Sequence, residues 1–246
     1  MQSDPSFLIP TDITSACLVG KSVGHLCRPA RARVLGARLH RDAVASFRKL
    51  RAAAAKEGFD LAVLSGFRNF KRQLSIWNRK ATGQLAVLDS DARPLDITRL
   101  TPRELVFAIL RWSALPGASR HHWGTDLDVY DKAAAPRGYE VELIPAEVDA
   151  GGMFAPLHEW LDQRIADGTA FGFFRPYDVD RQGVAPERWH LSFAPIASKY
   201  LRRLSVNLLR KTIKRAEIEL KDEVLANLPE IHRRFVANVS RRHLSS

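Results

Sequence analysis

Cysteine is scarce: the 246 residues contain two, Cys17 and Cys27. Two cysteines cannot build a disulfide framework, and neither stands in a C-x-x-C pair. A reducing compartment is therefore the simpler expectation over a single disulfide. Long apolar runs are missing too. No stretch of about 18 apolar residues occurs, so no membrane-spanning helix is expected. Met1 to Pro10 lack the basic and apolar segments of a secretory signal, which points to the cytoplasm, with a periplasmic or wall-associated site as the alternative. No repeat or low-complexity tract interrupts the chain. No basic–aromatic module of the kind that binds RNA or single-stranded DNA is present, so no nucleic-acid partner is expected.

What remains is ample for a folded chain. Apolar residues make up 46% and charged residues 26%, enough for both a core and a polar surface. The formal charge of +11 favours acidic partners: nucleic acid, anionic lipid or an anionic substrate. The excess gathers between Arg28 and Arg51 and again from Arg202 to Arg242. Both stretches read as solvated helix faces.

Residues 41–57 carry Val44, Phe47 and Leu50 on one stripe and stop at Gly58, which predicts an amphipathic helix. Leu61 to Leu64 suit a buried strand, ending in the polar cluster Ser65-Gly66-Phe67-Arg68. A helix follows over about 70–80, with Leu74 and Trp77 inward. Thr101-Pro-Arg-Glu104 is a capping box that opens a helix to about Trp112. After the loop Leu115–Ser119 and a turn at Gly124, alternation puts Asp126, Asp128 and Tyr130 on one face of a strand. A helix is predicted over about 154–165 and irregular chain over 171–186. A short strand over 189–193 places His190 and Ser192 on one side. From Pro195 the pattern is helical to the end, with a break at Leu228-Pro229. These elements do not alternate as β-α-β. An α+β fold is predicted, a small antiparallel sheet flanked by helices. The expected division is a main domain over 1–203 and a helical extension over 204–246. The extension's Leu208, Ile213, Ile218, Leu225 and Leu228 could pack back on the domain, the default, or form a homodimer surface.

Chemistry concentrates in two segments, Ser119-Arg-His121-His-Trp-Gly124-Thr-Asp-Leu-Asp128 and Glu187-Arg-Trp-His190. A catalytic zinc site needs three protein ligands and an open position. Two imidazoles and one carboxylate leave net positive charge, which brings the pKa of bound water from ~15.7 toward ~7. A carboxylate that is not a ligand must then move the proton. His121, Asp128 and His190 can supply the ligands and Glu187 the base. Glu187 and His190 would diverge in an extended strand, so a bend just after Pro186 is required. Taken alone these spacings are weak, since a strand histidine is more often packed or hydrogen-bonded than metal-bound.

The pattern Ser-x-His-x-x-Gly-x-x-x-Asp followed by Glu-x-Trp-His resembles the M15 family of zinc D-alanyl-D-alanine carboxypeptidases, of VanY type. Their fold is shared with D-Ala-D-Ala dipeptidases and the Hedgehog signalling domain. Ser65-Gly-Phe-Arg68, with Gln73 five further on, matches a third family segment, usually Ser-Gly-Tyr-Arg. The resemblance covers about residues 40–200, with the three segments in family order. It implies Zn2+ on His121, Asp128 and His190, with Glu187 as general base and acid. It implies that Arg68 stabilises the oxyanion, and that Ser119 and Gln73 bind substrate. Thr125-Asp126 departs from the usual small-residue step. The Asp126 carboxylate is expected either to orient a ligand histidine or to serve structurally.

The implied reaction is hydrolysis of the terminal D-Ala-D-Ala bond of a peptidoglycan stem peptide or muropeptide. Related readings are an L-Ala-D-Glu or L,D-specific muropeptide peptidase, or a zinc-bound domain without catalysis. A charge-driven binder of nucleic acid or a membrane surface is the rival from another class. Arg120 or Arg188 could recognise a terminal carboxylate. His122 is expected to point away from the metal. Trp123 and Trp189 are expected to pack around the site, and Glu140, Glu142 and Glu147 to be surface carboxylates.

Overall fold

A computed structural model describes residues 13–240. The reading of Met1–Pro10 and the last residues of the basic tail lie outside them. Four short strands form one antiparallel sheet in the order β1-β2-β4-β3. They are β1 Leu61–Ser65, β2 Asp126–Asp131, β3 Phe173–Phe174 and β4 His190–Phe193. Helices flank this sheet, as the α+β reading expects.

Period-two alternation gives the sheet two unlike faces. Leu61, Leu127, Val129, Leu191 and Phe193 cluster with Phe47 and Leu50 of the Val44–Lys56 helix and with Leu157 and Leu161 of the Ala155–Ala166 helix. Each fully buried Leu or Phe contributes about 1.5–3 kcal/mol relative to exposure. That burial fixes the register, because a one-residue slip would turn the polar set into this core. Asp126 pairs with Ser192 and Asp128 with His190 across β2 and β4, while Ser65 of β1 pairs with Asp128. Directly opposed antiparallel side chains have Cβ atoms about 4.5–5.5 Å apart. The hydrophobic face of the sheet thus sets the spacing of the polar residues on the other.

A second core joins the Phe70–Ala81 and Pro102–Trp112 helices to the C-terminal segment. The capping box is formed: Glu104 N–H donates to Thr101 Oγ1 at 3.3 Å, and Thr101 N–H donates to Glu104 Oε2 at 2.8 Å. Such a cap contributes about 1 kcal/mol. Trp77, Ile109, Leu209, Ile213, Leu228 and Ile231 are fully buried together. The apolar residues of the extension therefore pack within the chain, not on a partner. Trp77 Nε1 donates to Glu219 O at 3.0 Å, tying the extension to the helix that follows β1.

Local differences have physical causes. β3 lies in a stretch read as irregular, where two residues are too few to show a period. The extension breaks after Arg203 and after Lys214, and Pro229 sits in the first turn of a short Leu228–Ile231 helix. Proline there needs no N–H donor, so it opens a helix instead of interrupting one. Cys17 and Cys27 are both free and buried. Among the described residues no helix is long and apolar enough to cross a membrane.

Candidate active site

His121 lies in the 3-10 turn Arg120–Trp123, which Gly124 ends at φ 68°. A Cβ on Gly124 would stand 2.7 Å from His40 N and 2.5 Å from Leu26 Cδ2, so only glycine lets the chain double back into β2 here. That reversal brings Asp128 beside His121. Before β4, His190 N–H donates to Glu187 O at 3.1 Å, closing a turn. This is the bend the Glu187–His190 spacing requires.

His121 Nε2 is 3.3 Å from Asp128 Oδ2, and His190 Nδ1 is 3.5 Å from Asp128 Oδ1. One donor atom from each of His121, Asp128 and His190 lies within 4.8 Å of the others, all three residues buried. Donors ~2.0–2.2 Å from a tetrahedral zinc stand about 3.3–3.6 Å apart, so the two short separations fit such an ion. The outer contacts fit as well. His121 Nδ1 meets Gly66 O at 2.8 Å, and His190 Nε2 meets Asp126 Oδ1 at 3.0 Å. Each acceptor fixes a proton on the outer ring nitrogen and turns the other nitrogen inward. Asp126 thus orients His190 in addition to its structural pairing with Arg120.

The electrostatics describe a centre that attracts a cation. Burial alone would raise the Asp126 and Asp128 carboxyls. For Asp126 the Arg120 guanidinium, and for Asp128 the neighbouring His121, hold them below the ordinary value instead. Burial would lower His190, yet hydrogen bonds to Asp126 and to Glu187 Oε2, the latter at 3.0 Å, push it up to about 10. A metal at Nδ1 must displace that proton.

Arg68 follows β1 at the edge of this group, with Nη2 4.0 Å from Asp128 Oδ2. Its fork is held by Gln73 Oε1 at 2.9 Å and Ser65 Oγ at 3.1 Å. Gln73 is fully buried, and its amide also donates to Ala114 O at 2.8 Å. Gln73 therefore holds Arg68 and does not line the cavity, a correction to its expected place in substrate binding. A cavity of about 260 Å³ opens over Arg68, Ser119, His121, Asp128, Glu187 and His190.

Neither arginine expected to meet a carboxylate is free to do so. Arg120 is buried, with Nε on Asp126 Oδ1 at 2.7 Å and Nη2 on Ser192 Oγ at 2.6 Å. Arg188 bonds Asp162 Oδ2 at 2.6 Å and lies outside the cavity. His122 points away as expected. Gly117 N–H donates to its Nε2 at 3.0 Å, so Nδ1–H must donate to Arg68 O, and burial lowers the ring to about 3. Trp123 is core. Trp189 packs with Val148 and Phe154, stacks on Trp112 with ring centroids 6.4 Å apart, and also lines the cavity.

Glu147 is not a surface carboxylate. It is buried and accepts from the backbone N–H groups of Glu142, Leu143 and Ile144 and from Tyr139 O–H. It organises a loop whose Glu142, Leu143 and Ile144 form one wall of the cavity. Lys80, Trp112 and Tyr177 also line it and were not anticipated. Lys80 follows Gln73 and Trp77 at helical spacing, which was the available signal. Tyr177 lies in chain without periodicity, and its ring meets the His190 edge at 5.1 Å.

Residues 36–196 match the family VanY: D-alanyl-D-alanine carboxypeptidase. The chain belongs to this family. VanY-family membership makes it a carboxypeptidase by class. Two uncharacterised proteins of Haemophilus influenzae are similar. One is 32% identical over 124 residues, covering 50% of this chain and 92% of its own length. The other is 41% identical over 103 residues, covering 42% and 70%. Solved structures with some likeness include VanYB in complex with D-alanine-D-alanine, at 21% identity and TM-score 0.48, covering 80% of this chain and 92% of that one. A vancomycin-resistance D,D-pentapeptidase in complex with Zn(II) has 21% identity and TM-score 0.45, covering 76% and 84%. The family assignment rests on the match over residues 36–196, not on these scores.

Proposed function

We propose that this VanY-family chain is a zinc-dependent carboxypeptidase that cleaves the terminal D-Ala-D-Ala bond of peptidoglycan stem peptides. The observation that carries the reading is the convergence of His121, Asp128 and His190 within 4.8 Å, with the Glu187 carboxylate beside them in the same cavity. His121 Nε2, an Asp128 oxygen and His190 Nδ1 would hold the ion. Zinc bound there supplies Lewis-acid polarisation of the scissile carbonyl and acidifies water.

The chain's own groups do the rest. Glu187 takes the proton from the attacking water and passes it to the leaving amine of the terminal D-Ala. Arg68, locked by Gln73 and Ser65, presents its guanidinium to the developing oxyanion without reorganising. Ser119 contacts substrate from the cavity wall. Asp126 keeps His190 in the one tautomer that frees Nδ1. A zinc-bound domain without catalysis has no use for a carboxylate at Glu187.

The test pairs metal content with product release. Wild type is expected to carry roughly one zinc per chain and to free D-Ala from a pentapeptide muropeptide. Glu187→Ala should keep the zinc and lose about 10²–10⁴-fold in rate, whereas His190→Ala should lose the metal. Wild type without zinc, or a fully active Glu187→Ala, overturns the proposal. Release of other fragments from tripeptide or tetrapeptide substrates would redirect it to an L-Ala-D-Glu or L,D specificity.

A further inference from the structure

A carboxypeptidase must bind the free carboxylate at the end of its substrate, and two of the cations around this cavity are already committed. Arg120 is buried against Asp126 and Ser192. Arg68 is forked onto Gln73 and Ser65 and lies against Asp128, on the side of the proposed metal. Lys80 is the remaining cation in the wall.

Its position is determined by the helix. Gln73, Trp77 and Lys80 fall at i, i+4 and i+7 on one face of the Phe70–Ala81 helix. Gln73 and Trp77 are fully buried, so this face is directed inward. Lys80 ends it half-buried, in the wall it shares with Trp112 and Ser113. A lysine in the last turn of a helix usually complements the helix dipole from solvent. Lysine is seldom withdrawn from water unless it is paired. Yet among the described residues no ion pair within 4.0 Å engages Lys80, while Arg111, Arg175 and Arg188 all have one. Burial lowers its pKa, and Glu187, the carboxylate whose field acts on it, raises it. A cation held in a cavity wall without a fixed partner is suited to an anion that arrives with the substrate.

We infer that Lys80 is the specificity residue that binds the terminal carboxylate of the peptide and restricts cleavage to free C-termini. This rests on the carboxypeptidase reading above. The leaving D-Ala would lie between Lys80 and the metal group, with Glu187 between the two to receive and return the proton. Arg68 is then left to the scissile carbonyl. One cavity thus separates its two cationic tasks between two residues.

The test compares an acyl-D-Ala-D-Ala peptide with the same peptide as its C-terminal amide, in zinc-loaded wild type, Lys80→Met and Lys80→Arg. Wild type should prefer the free acid by about 100-fold or more in kcat/KM. Lys80→Met should keep its zinc and its melting temperature. It should raise KM for the acid more than it lowers kcat, and bring the acid-to-amide preference to within about tenfold. Lys80→Arg should restore most of the preference. A Lys80→Met variant with the wild-type preference overturns the inference while leaving the peptidase reading intact. Wild type that cleaves neither peptide overturns the D-Ala-D-Ala reading, and this inference with it.

Discussion

Replacing Asp126 with asparagine should weaken both the fold and the metal group, in separable amounts. The amide keeps the shape of the carboxylate and removes its charge. Three groups then lose a charged acceptor: Arg120 Nε at 2.7 Å, His190 Nε2 at 3.0 Å and Thr125 Oγ1 at 2.6 Å. Arg120 is 4% exposed and forms no other ion pair among the described residues. Breaking a buried pair from one side costs about 3–5 kcal/mol, because the other charge stays buried. In a chain of this length each kcal/mol shifts the melting temperature by roughly 2–4 °C, so the metal-free variant should melt roughly 6–20 °C lower. The outer hydrogen bond to a ligand histidine is a separate contribution, worth about 10–100-fold in metal affinity. Thermal melts of the chelated protein read the first effect, and zinc competition against a chromophoric chelator reads the second. An Asp126→Asn variant that melts with wild type would refute the buried-pair argument. One that loses stability but binds zinc as wild type does would refute the orienting role alone.

Two further outcomes follow from buried groups away from the metal. His25 and His40 sit in one cluster with Tyr200, and burial holds each near about 4 against the ordinary 6.5. The unfolded chain therefore binds protons that the fold excludes, so stability is lost as pH falls from 6.5 toward 4. Two such groups should remove roughly 2–4 kcal/mol by about pH 5, and a flat melting temperature for chelated protein between neutral pH and that point would contradict this. Glu147→Ala should strip the cavity's loop wall of the acceptor for three backbone N–H groups. Hydrogen exchange at Glu142–Ile144 should rise and KM should increase more than kcat falls; unchanged exchange would show that the loop does not depend on Glu147.

Much of this architecture is legible in the residues because local and global requirements agree. The stripe Val44, Phe47, Leu50 and the capping box at Thr101 each specify their helix without help from distant contacts. Alternation around Asp126 and Asp128 gives a polar face, and the same alternation at His190 and Ser192 gives its partner. Only tertiary pairing reveals that Asp128 stands opposite His190. Glu147 could not be read as buried, since its partners are N–H groups of its own loop and no spacing rule marks them. Arg120 looked available for substrate because its partner Ser192 is 72 residues away. Lys80 was passed over for a similar reason: a basic residue in the last turn of a helix normally needs no explanation beyond the dipole.

The route by which the C-terminal segment returns to the cavity has a consequence for synthesis. Tyr177 lines the site, and the chain beside it is clasped from behind: Ser240 N–H donates to Pro176 O at 2.9 Å and Asn238 Nδ2 to Arg181 O at 2.9 Å. A Cβ on Gly183 would stand 2.1 Å from Arg234 O, so the clasp is close enough to admit only glycine there. A nascent chain paused after its last strand would hold all three presumptive ligands and the base, yet lack the backing of one wall. Completion of the pocket is thereby tied to the end of translation, and a hydrolase of this design matures only once its whole chain has left the ribosome.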